Sequence, residues 1–310
     1  MAPIRGITDA AYRQAFSRCF GGFDHAVAPF IQLRQGHSLR PGERLQMALE
    51  NNRELRVIPQ VLTNNAATFT AGLRELHELG HDEVNWNLGC PYTTVAGRGR
   101  GAGLMPHPDR IDAILDQGLN GCPVRLSVKL RLGYKNPDEY SAVLEVLNRY
   151  PLTEVILHPR TASQMYGGAV DVGRASVAQK ACKHPFVFNG DINTPEKFCE
   201  LRRQLPMVER WMIGRGALAC PFLPAVLKGA SFPAAENRRK QLREFHDLLL
   251  EGYRHWLSGP AHLLDKMKEH GEYLALSFAE SQAVLARIRD SRNLEDYINA
   301  VDWSFEQALK

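Results

Sequence analysis

The chain has 310 residues, of which 44% are apolar and 23% are charged, as in an ordinary globular protein. No run of 18 apolar residues occurs, which argues against a membrane-spanning helix, and the first residues lack the apolar core of a signal peptide. The length accommodates one large domain, or one large and one small domain.

The six cysteines are spread along the chain without a CxxC pair. Because no cysteine or histidine cluster has zinc-site spacing, we expect no metal. Reduced cysteines are typical of cytosolic proteins, so we expect a cytoplasmic location. The net charge is +4, with −2 on residues 231–310 and +6 on the rest, a weak indication of an acidic partner such as nucleic acid.

Short apolar runs alternate with helical patterns along most of the chain. The runs predict strands at residues 25–30, 56–62, 83–88, 125–130, 154–158, 185–190 and 210–214. Helical patterns between them include residues 66–80, 109–119 and 194–204, the last opening on Thr194 as a cap. Strands that alternate with helices in this way pair in parallel through crossovers.

Residues 1–4 resemble the end of a further, very short strand, which brings the predicted βα units to eight. Eight units predict a (β/α)8 TIM barrel, and the alternative is an open, doubly wound sheet. We favour the barrel because polar residues end the strands all round, whereas a doubly wound sheet concentrates them near one switch point.

The pattern changes in the last quarter of the chain. Residues 237–258 and 261–308 predict amphipathic helices, broken at Ser258-Gly259-Pro260, and no strand pattern appears there. We therefore predict a catalytic TIM barrel over residues 1–233 and a small C-terminal α-helical domain over residues 234–310.

Polar or glycine residues at the strand ends form one candidate site, because barrel active sites lie at the carboxyl ends of the strands. They are Gln60, Asn87, Lys129, His158, Asn189 and Gly214. An inward lysine is costly unless it meets an anion or an electron-rich ligand, so Lys129 suits either a Schiff base or a flavin edge. Gln60 suits a flavin's uracil-like edge or a satisfied core amide, and His158 suits a ligand contact or a structural role.

Two glycine-containing turns follow the last two predicted strands, "FNGDI" at 188–192 and "MIGRGAL" at 212–218. In barrels these loops commonly cradle a phosphate with backbone N–H groups, and Arg215 adds a charge-assisted contact. A phosphate site together with an inward lysine implies a phosphorylated cofactor.

A lone cysteine stands at the mouth of the predicted barrel, in "NLGCPYTTVAGRGRGAGL". Cys90 lies on a tight turn at a strand end, where a thiol can donate a proton and a thiolate can attack. A free cysteine is most often packed in the core, and Cys90 has no companion residues at the spacing of metal ligands. We expect the following glycine run to be a flexible loop, on which Arg98 and Arg100 suit a passing polyanion.

These segments together resemble the tRNA-dihydrouridine synthases over almost the whole chain. The matching motifs are "APIRGITDAAYR", "NLGCPYTTVAGRGRGAGLM", "SVKLRLG", "HPRTASQMYGG", "NGDI" and "MIGRGAL", in the family's order. Pro159 replaces a glycine that the family commonly has, and Leu62-Thr63 departs from a QL-x-G pattern. The resemblance implies an FMN-dependent barrel with a helical domain that binds tRNA.

The resemblance also implies a reaction and roles for residues. NADPH reduces FMN, flavin N5 passes hydride to uracil C6, and Cys90 protonates C5. Asn87, Lys129 and Arg131 position the uracil. The residues that fall where the family holds FMN are Pro3, Ile4, Arg5, Gln60, Lys129, His158, Asn189, Gly190, Asp191, Gly214 and Arg215.

Other functions stay open on the residues alone. A flavin barrel that reduces a free pyrimidine or a small enone keeps the chemistry, a Schiff-base aldolase uses Lys129, and a non-catalytic RNA-binding protein keeps only the fold. We expect a monomer, although the motifs do not encode the oligomeric state.

Overall fold

A computed structural model of the chain describes residues 1–36 and 38–310. Within those residues the strands pair in parallel, in one sheet of seven and one of two. They are β1 (His25–Val27), β2 (Ile31–Gln32), β3 (Arg56–Ile58), β4 (Gln60–Leu62), β5 (Glu83–Leu88), β6 (Arg125–Gly133), β7 (Leu152–Thr161), β8 (Phe186–Asn189) and β9 (Arg210–Met212). The large sheet follows the order β2-β4-β5-β6-β7-β8-β9, and β1 pairs with β3.

The strands close into the predicted (β/α)8 barrel, with helices between them and further helices at the carboxyl end of the chain. The predicted strand 25–30 is shortened to β1, and β2 begins only at Ile31. The predicted strand 56–62 is divided into β3 and β4 at Pro59, which has no N–H for a ladder bond.

The amino-terminal segment bridges the two edges of the barrel without forming a regular strand. The amide of Ala2 donates to the carbonyl of Ile213, 2.9 Å away, and the amide of Val27 donates to the carbonyl of Met1, 3.1 Å away. The expected eighth strand is therefore absent as a regular strand, and these two backbone hydrogen bonds close the barrel in its place.

Alternation along the strands decides what the barrel interior contains, because successive side chains point to opposite faces. Trp86, between Asn85 and Asn87, belongs to the main core outside the sheet. A small separate cluster of apolar side chains lies inside the barrel. Its members are Ala2, Val27, Ile58, Ile156, Val187 and Met212.

Helices follow most strands, and several of them begin at a side-chain cap, as at Asp9, Asn65 and Asp171. The barrel helices are α1 (Ala10–Cys19), α2 (Pro41–Met47), α3 (Ala66–Glu78), α4 (Thr93–Ala96), α5 (Pro108–Leu119), α6 (Glu139–Leu147), α7 (Val172–Ala181), α8 (Pro195–Gln204), α9 (Arg215–Ala219) and α10 (Leu223–Leu227). The predicted cap Thr194 is confirmed, since its hydroxyl accepts from the amide of Lys197 at 3.2 Å.

The carboxyl-terminal part consists of α11 (Ala235–Trp256), α12 (Pro260–Leu274), α13 (Ser281–Asp290) and α14 (Leu294–Glu306). The predicted break at Gly259 is confirmed, because Gly259 has φ +84° and Pro260 opens α12. Residues 261–308, predicted as amphipathic helix, form three helices, because the chain turns before Ser281 and again before Leu294. Within the described residues, every helix is too short or too polar to cross a membrane.

The helical part packs on the start of the barrel. The Tyr253 hydroxyl on α11 donates to the Asp9 carboxylate, with O–O distances of 2.8 and 2.9 Å. His270 on α12 lies 2.8 Å from the same hydroxyl, and its ring stacks on Tyr253 with centroids 5.3 Å apart. Asp9 also caps α1, so one carboxylate joins the two parts of the chain.

Candidate active site

A cavity of about 320 Å³ opens at the carboxyl ends of the barrel strands. It falls within the range of small-molecule and cofactor sites. Most residues predicted for the site line it, although they lie far apart in sequence. These are Pro3, Ile4, Arg5, Gln60, Asn87, Cys90, Lys129, Arg131, His158, Asn189, Gly190, Asp191, Gly214 and Arg215.

Lys129 projects into this cavity from β6. Its ammonium group has no hydrogen bond or ion pair with any described residue. Burial, together with the nearby Arg131 charge, lowers the pKa of Lys129 to about 7. A lysine in this state gains from an anionic or electron-rich ligand, because such a ligand restores the charged form.

Cys90 lies on the turn that follows β5 and is 6% exposed. Its amide and that of Gly89 both donate to the Asn87 side-chain oxygen, at 2.8 and 3.0 Å. Burial raises the pKa of the Cys90 thiol. The group is therefore a neutral thiol near pH 7, suited to give a proton rather than to act as a thiolate.

Arg131 is held by backbone carbonyls rather than by a carboxylate. Its Nε donates to Gly89 at 3.0 Å, and its Nη1 donates to Thr161 at 2.9 Å and to Met165 at 2.7 Å. Its Nη2 makes no hydrogen bond with any described residue. These bonds fix the guanidinium group through Nε and Nη1, and its Nη2 hydrogens are available to a ligand in the cavity.

Arg160 organises the wall around His158, and the sequence analysis did not single it out. It donates to the His158 Nε2 at 3.1 Å and to the Asp191 carboxylate at 2.7 Å. Burial and the neighbouring cations lower the pKa of His158 well below its usual value, so the ring is neutral. Because arginine can only donate, Nε2 is the acceptor and the ring proton lies on Nδ1.

Asp191 has a backbone φ of +51°, in the left-handed region that non-glycine residues rarely adopt. The ion pair with Arg160 holds it there, beside Gly190. Because Arg160 neutralises this carboxylate, the basic side chains of Arg5, Lys129, Arg131 and Arg215 line the cavity without an acidic partner among the described residues.

The chain matches the dihydrouridine synthase family over residues 1–308. This chain belongs to that family. It is 27% identical to the tRNA-dihydrouridine(16) synthase of Pseudomonas putida, over 93% of this chain and 91% of that protein. It is 25% identical to the tRNA-dihydrouridine synthase B of Pseudomonas aeruginosa, over 81% of this chain and 75% of that protein.

Among solved structures, the fold is similar to the old yellow enzyme homologue of Zymomonas mobilis, with a TM-score of 0.54 and 11% identity. That alignment covers 76% of this chain and 90% of the other. At this identity the likeness supports the barrel fold alone.

The cavity of this dihydrouridine synthase also contains aromatic residues that sequence reasoning missed. Tyr92 and Tyr166 line it while 46% and 45% exposed. The Tyr166 ring lies 4.5 Å from the Arg215 guanidinium carbon and 5.5 Å from that of Arg131. Tyr166 lies in the motif "HPRTASQMYGG" and could have been found from it. Tyr273 reaches the cavity from α12 and lies in no such motif.

Arg98 and Arg100 of this dihydrouridine synthase lie outside the cavity. Arg98 is exposed, and Asn64 bonds both residues, donating to the carbonyl of Arg98 at 3.0 Å and accepting from the Nε of Arg100 at 3.4 Å. Neither arginine has a carboxylate partner among the described residues. They therefore form a surface beside the mouth rather than part of the pocket.

The expectation of a flexible glycine loop after Cys90 is wrong. Residues 93–96 form α4, and Gly101–Leu104 form a buried 3-10 turn. Gly101 has φ +54°, and a Cβ there would lie 2.9 Å from the Cβ of Cys90. Gly101 is therefore needed for close packing against Cys90, which spacing alone did not reveal.

No metal centre was expected, and the described residues contain no group of three His, Cys, Asp or Glu side chains that could hold a metal ion.

Proposed function

We propose that this chain reduces uridine in tRNA to 5,6-dihydrouridine, with FMN as cofactor and NADPH as reductant. We further propose a monomeric, cytoplasmic enzyme in which residues 1–233 catalyse and residues 234–310 help to bind tRNA. The observation that carries the proposal is the convergence of a neutral Cys90 thiol and an unpaired Lys129 in one cavity of a dihydrouridine synthase.

The cavity is compatible with FMN in its size and its charge. Unpaired Lys129 suits the electron-rich edge of a flavin, and Arg215 beside Gly214 suits a phosphate. A Cβ at Gly190 would lie 2.6 Å from Val170, so a side chain at that position would disturb this wall. Bound FMN would supply the hydride that reduces the pyrimidine.

The side chains have distinct tasks in this proposal. The Cys90 thiol gives a proton to C5 of the pyrimidine. Asn87 and the free Nη2 of Arg131 offer donors to a ring oxygen on which negative charge develops during reduction. A uridine within folded RNA must leave its stack to reach these groups.

Purified protein tests the proposal directly. We expect it to bind FMN in a 1:1 complex, to oxidise NADPH, and to convert uridine to dihydrouridine in tRNA that lacks the modification, as measured by mass spectrometry of nucleosides. Reduction of free uridine or a small enone, without reduction of tRNA, would instead support a small-molecule reductase. Protein that binds tRNA but no flavin would contradict the proposal.

Removing the cationic side chains beside the mouth should weaken RNA binding without affecting the flavin. For Arg98→Ala/Arg100→Ala we expect a several-fold higher KM for tRNA. The slope of log K against log [salt] should become shallower by roughly 1–2, because each phosphate contact contributes about 0.7–0.9 to it. Fluorescence anisotropy with labelled tRNA at several salt concentrations measures this slope.

The matched control is Arg53→Ala/Lys180→Ala. Both side chains are exposed, have no ion-pair partner among the described residues, and precede β3 and β8 at the opposite end of the barrel. An equal loss of slope in both double variants would show that net charge, and not the surface beside the mouth, is responsible.

A further inference from the structure

A chain of buried side-chain hydrogen bonds runs under the cavity from the Cys90 turn. Asn87 donates to Gln60 at 2.7 Å, Gln60 donates to Asn85 at 2.7 Å, and Asn85 donates to Ser127 at 2.9 Å. All four side chains are at most 8% exposed, and Gln60, Asn85 and Ser127 are fully buried. Asn85 and Ser127 do not line the cavity.

The direction of this chain is fixed from one end. The backbone amides of Gly89 and Cys90 can only donate, so Asn87 must turn its oxygen toward them. Its nitrogen therefore faces Gln60, which must present its own oxygen. The same reasoning, applied at each step, orients every amide along the chain.

The far end of the chain agrees with that direction. Gln60 turns its nitrogen to the Asn85 oxygen, and Asn85 turns its nitrogen to the Ser127 hydroxyl. That hydroxyl accepts from Asn85 and donates to the carbonyl of Val84, 3.5 Å away. Each member is thus both a donor and an acceptor. A flip of Asn87 or Gln60 alone would oppose like groups on both sides, and a flip of Asn85 alone would oppose its nitrogen to that of Gln60.

The orientation has a consequence at the cavity. The Asn87 oxygen is occupied by two backbone amides, and one of its nitrogen hydrogens is bound to Gln60. The group that Asn87 retains for a ligand is therefore an N–H, which pairs with a ring carbonyl and opposes an amino group. The same bonds hold the turn that carries the Cys90 thiol.

We propose that Asn85 and Ser127 are positioning residues of this enzyme. They fix Asn87 as a donor and hold the Cys90 turn, although neither touches the cavity. The catalytic part of this inference rests on the proposed function, whereas the reactivity of the Cys90 thiol can be measured without it.

The first test is the rate at which Cys90 is alkylated by iodoacetamide in the protein without added ligand, followed by peptide mass spectrometry. Asn85→Leu leaves Gln60 without an acceptor, so the turn opens more often and alkylation becomes about tenfold faster. Asn85→Asp keeps an acceptor for Gln60 and pairs with the Ser127 hydroxyl, so its rate stays within about twofold of the parent protein. Exposed Cys199 gives the internal reference rate.

Ser127→Ala serves if Asn85→Leu does not fold, since it removes only the last member of the chain. We expect a two- to fivefold faster alkylation of Cys90. Ser304→Ala is the matched control, because Ser304 is also fully buried but bonds to Ala300 within α14. Unchanged Cys90 alkylation in folded Ser127→Ala, or an equal rise in Ser304→Ala, would overturn the inference.

The second test uses the reaction itself. Asn85→Leu should lower kcat for RNA reduction about tenfold, with KM for tRNA and NADPH-dependent flavin reduction within about twofold of the parent. Asn85→Asp should have the kcat of the parent, in contrast to Asn85→Leu. Equal losses in flavin reduction and RNA reduction would indicate general damage and contradict a positioning role. If the parent protein reduces no RNA, the proposed function fails while the alkylation result still decides the inference.

Discussion

Cys90→Ala is expected to lower the rate of uridine reduction by a factor of about 10² to 10⁴, the usual contribution of a positioned general acid. Flavin binding and flavin reduction by NADPH should be unchanged, because the thiol acts on the pyrimidine and not on the cofactor in the proposed reaction. Single-turnover conversion of tRNA by enzyme with pre-reduced flavin measures the step directly. Turnover equal to that of the parent would remove Cys90 from the proton transfer.

The pH profile of the same reaction provides an independent check on Cys90. Burial raises the thiol's pKa, so the protonated form persists above the ordinary thiol value of about 8.5. The rate of RNA reduction in the parent should therefore stay level through that pH and fall only at higher pH. A rate that rises through pH 8 to 9 would indicate a thiolate mechanism instead.

Most of the candidate site was predictable because barrel geometry brings the strand ends together. Gln60, Asn87, Lys129 and His158 stand near the ends of predicted strands, and the fold requires those ends to share one mouth. Once the strand register is known, alternation also places Asn85 and Ser127 one layer below, where Asn85 pairs with Ser127 across β5 and β6.

Other features depended on packing that no single segment encodes. Tyr273 reaches the cavity only because α12 docks on the barrel, and that docking involves Asp9, Tyr253 and His270 from distant parts of the chain. Arg160 follows His158 by two residues, yet it also bonds to the Asp191 carboxylate, which lies in another loop. Long-range contacts of this kind are set by the tertiary structure and leave little local signal.

The predicted glycine loop shows the limit of composition as a guide. Alternating glycines suggested flexibility, but Gly103 approaches Ala96 so closely that a Cβ would lie 2.1 Å from its carbonyl oxygen. Glycine permits both free and tightly packed backbone, and only the surrounding atoms decide between them. The exposed Arg98 thus lies on a tightly packed turn and not on a flexible loop.

Lys129→Met is expected to weaken FMN binding by a factor of about 10 to 150, the loss of one charge-assisted hydrogen bond. It should also stabilise the protein without ligand. Burial lowers the pKa of Lys129 to about 7, whereas in the unfolded chain it is near 10.4. Folding therefore releases a proton between these values, and the stability of the parent rises as pH increases from about 7 to about 10.

The stabilisation by Lys129→Met should accordingly be largest below pH 7, where the parent buries a charge, and smallest above pH 10, where both chains are neutral at this position. Thermal melts of the two proteins without ligand across that range measure the difference. Lys180→Met is the control, because Lys180 is exposed and its removal should shift the melting temperature equally at all pH values.

Ligand binding should offset the cost of burying the charged Lys129 ammonium group. An anionic ligand next to Lys129 raises its pKa, so FMN binding at pH 8 should take up a proton, and calorimetry in two buffers of different ionisation enthalpy measures that uptake. Lys129→Met should take up none at this position. Equal proton uptake in both proteins, together with unchanged FMN affinity, would mean that the unpaired ammonium does not face the cofactor, and the assignment of this cavity to a flavin would lose its electrostatic basis.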